Sequence, residues 1–303
     1  MKLKHLVEAQ QLDVDTILLL FSMADEFKKL VKKPLTKKIL TTLFYEPSTR
    51  TRLSFESAML RLGGNVISTE NAKEFSSAVK GESLEDTIRV VSKYSDIIVL
   101  RHYNDGSAKI AASVSTVPVI NAGDGMEQHP TQALLDIYTI WKEIGRINNI
   151  QIAIVGDLRY GRTVRSLCYL LGKFEDIEII FISPKHLSIK DDIKDYLKRH
   201  KVVFKEEDEL STVLPKADIV YMTRIQKERM TEAEYEKAKG VYRITQDNLN
   251  LIKQNARVLH PLPHTEEINL PIQIEQSDKR IAYFRQVENG LYIRMALIYY
   301  LLE

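Results

Sequence analysis

The segment ILTTLFYEPSTRTRLSFESAML, residues 39–60, contains the pattern that decides the fold: a short apolar run followed directly by a helical spacing. Its first six residues are typical of a buried strand. Beyond them, apolar side chains recur on one face of a helix, at Phe55, Ala58, Met59 and Leu62. The segment predicts a strand that leads into a helix over 49–62, capped by Ser48 or Thr49 and stopped by Gly63.

The same alternation of short apolar runs and amphipathic stretches continues along the chain, for example in DIIVLRH (96–102) and IQIAIVGD (150–157). It predicts βαβ units. We interpret the chain as an α/β protein of two doubly wound domains, each with a central parallel sheet flanked by helices. The predicted domains are 1–130 together with a C-terminal helix at 286–303, and 131–285, joined by a helix that starts at Pro130.

Composition limits the classes of partner. The 303 residues include 43 Lys and Arg against 41 Asp and Glu, a net charge of +2, so no global field favours nucleic acid or a membrane. Cys168 is the single cysteine and lies at helical spacing among apolar residues, which predicts a buried structural thiol in a reducing compartment. Because we find neither a signal-peptide core nor a run of about 18 apolar residues, we expect a cytoplasmic protein.

Polar clusters follow the predicted strands. In open parallel sheets, ligands bind outside the carboxyl ends of the strands, so these clusters are the candidate site. They are residues 48–52 (STRTR), Arg101 and His102, residues 129–132 (HPTQ), residues 156–162 (GDLRYGR) and residues 223–226. Their arginine, hydroxyl, imidazole and amide groups indicate a site for small anions.

The STRTR cluster places Arg50 and Arg52 in the first turn of a helix, where a cation is unfavourable unless an anion shares the site. Backbone N–H groups, hydroxyls and guanidinium groups together can bind a phosphate. The alternative is an ordinary helix cap with solvated arginines. Because the segment has no glycine-rich loop, we expect a small phosphate compound rather than a nucleotide.

The segment GDLRYGRT, residues 156–163, nearly matches a P-loop, with Arg162 in the place of the usual lysine. Its bulky residues suit a phosphate-wrapping loop poorly, so an ordinary turn into a helix and a nucleotide-binding switch both remain open. Arg162 at the mouth of this turn is better suited to bind a carboxylate.

His129, just before Pro130, is either a packing or capping histidine or a catalytic group. With Arg101 and Thr51 it could stabilise an oxyanion in acyl transfer, and Gln132 one turn later could hold an amide. Lys80, in a polar segment at 71–83 interpreted as a loop, is either an ordinary surface lysine or part of the site. The cluster TRIQKER (223–229) is either a charged helix face or a lining of the site. The histidines do not cluster with cysteines or carboxylates at metal-ligand spacing, so we expect no metal site.

Several of these motifs occur together and in order across nearly the whole chain: FYEPSTRTRLSFE, KGES, HPTQALLD, GDLRYGRTVRSL, YMTRIQKER and VLHPLP. In this combination the chain resembles the aspartate carbamoyltransferase catalytic chains. STRTR alone would also admit the ornithine enzymes, but those carry cysteine where this chain has Pro261. The family's usual arginine after HPLP is replaced by His264.

The resemblance implies a role for each matching residue. The first domain would bind carbamoyl phosphate through Ser48, Thr49, Arg50, Thr51, Ser76, Arg101, His129 and Gln132, with the main chain at Pro261 and Leu262 holding the carbamoyl amide. The second would bind aspartate through Arg162, Arg224 and Gln226, with Lys80. Catalysis would fall to Arg50, Thr51, Lys80, Arg101 and His129, and Glu46 would pair with arginines of the site.

The resemblance also implies an activity and an assembly. The activity is transfer of the carbamoyl group of carbamoyl phosphate to L-aspartate, an early step of pyrimidine synthesis, with no cofactor. The assembly is a homotrimer in which Ser76 and Lys80 enter the site of a neighbouring chain. The sequence leaves open whether a separate regulatory chain binds, and whether a different amine is the acceptor.

Overall fold

The computed structural model describes residues 3–29, 32–75 and 77–303. The chain divides into two compact units, which we call unit 1 (Met1–Leu135 and Glu288–Glu303) and unit 2 (Asp136–Val287). The domain boundaries placed from the sequence differ from these by a few residues at each junction.

Unit 1 alternates strands and helices, in the order α1 Val14–Phe27, β1 Ile39–Phe44, α2 Thr49–Arg61, β2 Asn65–Glu70, α3 Ala72–Phe75, α4 Leu84–Val91, β3 Ile97–His102, α5 Ser107–Val114, β4 Val119–Asp124 and the start of α6 Pro130–Ile144. Its described strands form a parallel sheet in the order β2-β1-β3-β4. The strand order reverses between β1 and β3, which pair with Phe44 opposite Arg101. That reversal is where ligands bind in sheets of this kind.

The strand and helix predicted from the opening segment are both present. Phe55, Ala58 and Met59 are fully buried on one face of α2, and Gly63 adopts a φ of +90° just after the helix. A side chain at that position would meet Lys33, so glycine suits the turn. The prediction of a side-chain cap is wrong. Ser48 occupies the N-cap position, but within the described residues of the first turn its side chain accepts no capping hydrogen bond.

Unit 2 repeats the alternation, with β5 Ile150–Val155, α7 Arg162–Leu171, β6 Ile177–Ile182, α8 Asp191–Arg199, β7 Val203–Glu207, α9 Leu210–Val213, β8 Ile219–Met222, α10 Glu232–Ala238, β9 Ile244–Thr245, α11 Gln246–Leu249, β10 Arg257–Leu259, β11 Ile268–Asn269, α12 Ile272–Ser277 and the start of α13 Tyr283–Leu302. The main described sheet is parallel in the order β10-β8-β5-β6-β7, and β9 pairs with β11. Its strand order reverses between β5 and β8.

The core of unit 2 explains its apolar strands. Residues of β5, β6 and β8 are buried on both faces, as expected for a parallel sheet covered by helices, and they read as continuous apolar runs. Cys168 in α7 is fully buried, as predicted, and burial raises the pKa of its thiol. Both units therefore confirm the predicted α/β architecture.

Three local predictions differ from the structure. The segment at 71–83, interpreted as a loop, contains α3 and a 3-10 turn at Ser77–Lys80. TRIQKER is not a helix face but a loop with one 3-10 turn, Lys227–Arg229. The C-terminal helix begins at Tyr283 rather than 286. Short polar turns have too little periodicity to stand out in a sequence.

Among the described residues, no helix combines the length and apolar character that crossing a membrane requires.

Candidate active site

The predicted anion-binding residues of unit 1 follow neighbouring strands of its sheet. Residues 48–51 start α2 directly after β1, Arg101 lies in β3, and His129 follows β4. Because the strands are parallel, their carboxyl ends share one edge of the sheet. This edge is the candidate site of unit 1.

At the start of α2, the side chains of Thr49 and Arg50 are exposed, whereas Thr51 is buried with 7% of its surface accessible. Ser48 is partly exposed, and its hydroxyl is not used as a cap. The helix N-terminus carries a partial positive charge from its N–H groups. Hydroxyls and an exposed guanidinium beside that charge form a suitable environment for a phosphate.

The other arginine of the motif has a structural role. Arg52 Nη1 donates to Glu56 Oε1 at 3.1 Å and Nη2 donates to Glu70 Oε2 at 2.9 Å. Glu56 also accepts a hydrogen bond from Thr42 of β1 at 3.0 Å. Arg52 thereby ties α2 to β1 and β2, so the expectation that both arginines face an anion is wrong for Arg52.

Arg101 joins the loop after β1 to β3. Its Nη2 lies 2.9 Å from Glu46 Oε2, in agreement with the resemblance, which implied that Glu46 pairs with arginines of the site. Its Nη1 donates to the Ala122 carbonyl at 3.4 Å. The main-chain N–H of Tyr45 donates to the Arg101 carbonyl at 2.9 Å. The guanidinium is thus oriented by a carboxylate and by β4.

His129 and Gln132 lie on one turn at the start of α6, linked by a hydrogen bond from Gln132 N to His129 O at 3.0 Å. They are 4% and 8% exposed, and Thr131 Oγ1 lies 3.3 Å from His129 Nδ1. Pro130 is the first helical residue, as predicted. The imidazole and the amide are therefore held at the start of helix α6. This helix follows β4, the strand that pairs with the Arg101 strand β3.

His102 has a different role from Arg101. Its Nδ1 accepts the Asn104 N–H at 3.0 Å and lies 2.9 Å from Ser107 Oγ, and burial lowers its pKa. A neutral imidazole that accepts from the backbone holds the turn between β3 and α5.

In unit 2, the turn after β5 contacts the end of β8. Gly156 has a φ of +118°, and a Cβ there would lie 2.3 Å from the Thr223 carbonyl oxygen. Thr223 N donates to the Val155 carbonyl at 2.8 Å. Only glycine allows this approach of the two backbones, which brings the predicted clusters at 156–162 and 223–226 together.

Asp157 connects these two clusters and was not identified from the sequence. It is fully buried, accepts the Tyr160 N–H at 3.0 Å, and accepts Gln226 Nε2 at 3.4 Å. Burial raises its pKa, against these hydrogen bonds, which lower it. Aspartate is a common turn residue because its side chain accepts hydrogen bonds from nearby backbone N–H groups, and this preference could have indicated Asp157.

Arg162 and Arg224 are the cations of this edge. Arg162 is the first residue of α7 and is partly exposed. Arg224 Nη1 donates to Glu228 Oε2 at 3.0 Å. Burial opposes ionisation of Glu228, but the hydrogen bond from Arg224 lowers its pKa overall. The four-residue spacing of this opposite-charge pair predicts a contact only on a helix, so it could not have indicated the pair in this loop.

Comparisons with known proteins identify the family of the chain. Residues 4–142 match the family model described as aspartate/ornithine carbamoyltransferase, carbamoyl-P binding domain, and residues 148–301 match the corresponding Asp/Orn binding domain. The chain belongs to the aspartate/ornithine carbamoyltransferase family.

Three relatives show the extent of the match. The chain is 53% identical to the chloroplastic aspartate carbamoyltransferase of Arabidopsis thaliana, over 99% of this chain and 78% of that protein. It is similar to the solved catalytic subunit of aspartate transcarbamoylase from M. jannaschii, with 48% identity, a TM-score of 0.90 and coverage of 99% and 98%. The aspartate transcarbamoylase of Trypanosoma cruzi, solved with carbamoyl phosphate and aspartate, is 37% identical, with a TM-score of 0.94 and coverage of 100% and 98%.

The HPLP loop of this family member follows β10, which lies beside β8. Pro261 and Leu262 are partly exposed, and Leu262 has a φ of +56°. His264, at the family's usual arginine position, has its Nε2 3.3 Å from Glu275 Oε1. It therefore meets a carboxylate, as an arginine could.

The remaining predicted residues lie in the segment at 71–83. Lys80 is exposed at the end of the 3-10 turn Ser77–Lys80. Ser76 lies outside the described residues. Within the residues that the structure describes, no group of three or more His, Cys, Asp or Glu side chains is placed to hold a metal ion.

Proposed function

We propose that this protein transfers the carbamoyl group of carbamoyl phosphate to the amine of L-aspartate, giving N-carbamoyl-L-aspartate and phosphate in an early step of de novo pyrimidine biosynthesis. The observation that carries the proposal is the position of two pairs of arginines. Arg50 and Arg101 lie at the carboxyl ends of β1 and β3, between which the strand order of the first sheet reverses. Arg162 and Arg224 follow β5 and β8, between which the order of the second sheet reverses. The match to a relative solved with both substrates supports it.

Residues 48–51 and Arg101 bind the phosphate of carbamoyl phosphate in this proposal. The exposed Arg50 and the N–H groups of α2 stabilise the charge that grows on phosphate as it leaves. His129 and Arg101 polarise the carbamoyl oxygen, and Gln132 with the main chain of Pro261 and Leu262 holds the amide. All of these groups act as hydrogen-bond donors, acceptors or charges.

Arg162, Arg224 and Gln226 bind the two carboxylates of aspartate. Gln226 is oriented by Asp157 and Arg224 by Glu228, so both side chains are held before substrate binds. The unprotonated amine attacks the carbamoyl carbon, the carbon–oxygen bond to phosphate breaks, and the proton that the amine loses passes to the leaving phosphate. Holding two anionic substrates together supplies much of the rate increase.

The test is carbamoyl transfer from carbamoyl phosphate to L-aspartate, L-ornithine and other amines by the purified protein. We expect carbamoyl-aspartate as the main product. Transfer to ornithine alone would assign a different member of the family, and tight ATP binding without any transfer would favour a nucleotide-binding switch built on GDLRYGRT.

A homotrimer with shared sites is part of the proposal. Unit 1 exposes large apolar side chains that another chain could cover: Leu53 and Leu60 on α2 are 49% and 56% exposed, Ile67 on β2 is 48%, and Val79 is 65%. Val79 adjoins Lys80, so covering this surface would bring Lys80 against the neighbouring chain. Ser76 is expected to accompany it.

Complementation tests the shared site. Lys80→Ala and His129→Ala chains should each be inactive, and mixed trimers should regain part of the activity, because some sites receive both intact residues. Proven mixing without any regain would mean that each site is built from one chain.

A cytoplasmic location is the last part of the proposal. The buried Cys168 thiol suits a reducing compartment. Cell fractionation tests it, and recovery of the protein in an organelle would refute it. Binding of a separate regulatory chain is not part of the proposal.

A further inference from the structure

His260 is a buried histidine to which the proposed chemistry gives no task. It is 1% exposed and stands immediately before Pro261. Its Nδ1 accepts the main-chain N–H of Leu262 at 2.8 Å, and its Nε2 lies 2.8 Å from Glu267 Oε1. Both ring nitrogens are therefore engaged by the loop that they support.

These contacts determine where the imidazole proton lies. The Leu262 N–H can only donate, so Nδ1 must present its lone pair. The proton of the neutral ring then lies on Nε2 and is donated to Glu267. Burial raises the pKa of Glu267, but hydrogen bonds from His260 and Thr265 lower it to about 2, so this acceptor is a carboxylate near neutral pH.

The bond to Leu262 acts on an unusual backbone conformation. Leu262 has a φ of +56°, a region that residues with a side chain seldom adopt. A hydrogen bond from its N–H to a buried acceptor favours this conformation over the extended one. The orientation of the peptide groups at 261 and 262 follows from it.

A second set of buried bonds fixes the main chain of His260. Its N–H donates to Gln286 Oε1 at 2.9 Å, and Gln286 Nε2 donates to Asp136 Oδ1 at 2.6 Å. Tyr221 donates its hydroxyl to the other oxygen of Asp136 at 2.7 Å. Because a carboxylate accepts only, Asp136 turns the Gln286 amide so that its oxygen faces His260. The loop is anchored on both sides of the imidazole.

We propose that His260 is a positioning residue for recognition of the carbamoyl amide, acting through its Nδ1 on the main chain at 261 and 262. The inference rests on the proposed function, in which these peptide groups hold the amide of carbamoyl phosphate. Phosphate recognition by residues 48–51 does not depend on His260.

Two substitutions separate the two nitrogens of the ring. In His260→Asn the amide oxygen takes the place of Nδ1 and can accept from Leu262, whereas in His260→Gln the longer amide takes the place of Nε2 and reaches Glu267. Each variant loses one buried contact, so each serves as the stability control for the other. We expect His260→Gln to raise the KM for carbamoyl phosphate about tenfold above that of His260→Asn, the equivalent of one buried hydrogen bond, with a smaller change in kcat.

Binding of two non-reacting ligands gives a readout independent of turnover. Phosphonoacetamide carries the amide, and inorganic phosphate does not. We expect His260→Gln to weaken phosphonoacetamide by about tenfold while phosphate binding stays unchanged, and His260→Asn to preserve the preference for phosphonoacetamide. Should His260→Gln not fold, Gln286→Met removes the anchor of the His260 main chain without shortening the side chain, and it should reduce the same preference.

The outcomes distinguish this inference from the proposed function. A wild-type protein without carbamoyl transfer refutes the proposed function. An active wild-type protein whose Asn and Gln variants have equal KM values and equal ligand preferences refutes only the positioning role of His260.

Discussion

Replacing Gly156 with alanine tests whether the close approach of the β5 turn to β8 builds the aspartate half of the site. The added Cβ would lie 2.3 Å from the Thr223 carbonyl oxygen, in a backbone conformation with a φ of +118°. That φ lies outside the left-handed helical region and is close to glycine-only, which costs about 1–3 kcal/mol. The overlap with a main-chain atom adds about 1–3 kcal/mol more, as overpacking does.

Gly145→Ala is the matched control within unit 2. Gly145 also has a positive φ, +75°, but a Cβ there would have no atom within 4 Å. The Gly145→Ala variant should lose only about 1–2 kcal/mol of stability, because alanine is strained in the left-handed conformation. The difference between the two variants therefore reports the contact with Thr223 together with the greater backbone strain at position 156.

The assay uses the single tryptophan of the chain, Trp141, which lies in unit 2. Its fluorescence during urea unfolding reports the stability of that unit. With an m-value of about 2 kcal/mol per molar urea, a loss of about 4 kcal/mol lowers the midpoint by about 2 M, against about 0.7 M for Gly145→Ala. We also expect Gly156→Ala to raise the KM for aspartate, because Thr223 leads into Arg224 and Gln226. Equal midpoints for the two variants, with an unchanged KM for aspartate, would refute the reasoning.

Three further predictions concern individual side chains. Arg50→Ala should raise the KM for carbamoyl phosphate or lower kcat by about 10- to 100-fold, which corresponds to the loss of one charge-assisted hydrogen bond, and it should leave thermal stability unchanged. The control is Arg61→Ala, which removes an exposed arginine at the other end of α2. Normal turnover and normal binding of carbamoyl phosphate by Arg50→Ala would contradict the phosphate assignment. Glu228→Gln should raise the KM for aspartate by less than about fivefold, because the pair with Arg224 is partly exposed to solvent, and it should leave the KM for carbamoyl phosphate unchanged. A changed KM for carbamoyl phosphate would show that the pair acts elsewhere. The pKa of Glu267 is about 2 in the folded protein against an ordinary value of 4.5, so the ionised side chain adds about 3 kcal/mol to the free energy of unfolding above about pH 5. This stabilisation is lost as the pH falls toward 2. Glu267→Gln should therefore reduce the loss of stability at acid pH, and an unaltered dependence of stability on pH would mean that other groups control it.

The fold was predictable where periodicity was strong. β1 and α2 were visible in the sequence because one apolar run and one helical stripe follow each other, and the same holds for β5 and α7. The parallel topology followed from the alternation. By contrast, α3 was missed because a helix of four residues is too short to define a period.

The candidate site was predictable from strand ends but not from side-chain contacts. Arg50, Arg101 and Arg162 all follow or end strands, so the topology rule found them. The contacts of Arg52 with Glu70, and of His260 with Gln286, join residues 18 and 26 positions apart, which no local pattern reveals. The roles carried over by resemblance remain predictions until the variants are measured.

The two arginines of STRTR carry different information. Arg52 bonds to carboxylates of α2 and β2 and so reports on the fold, whereas Arg50 is exposed at the helix start and reports on the chemistry. A diverged relative that kept Arg52 but lost Arg50 would retain the architecture and still match most of the motif. Such a chain would be a folded protein without transferase activity, and the residue at the position of Arg50 is what distinguishes it from an enzyme.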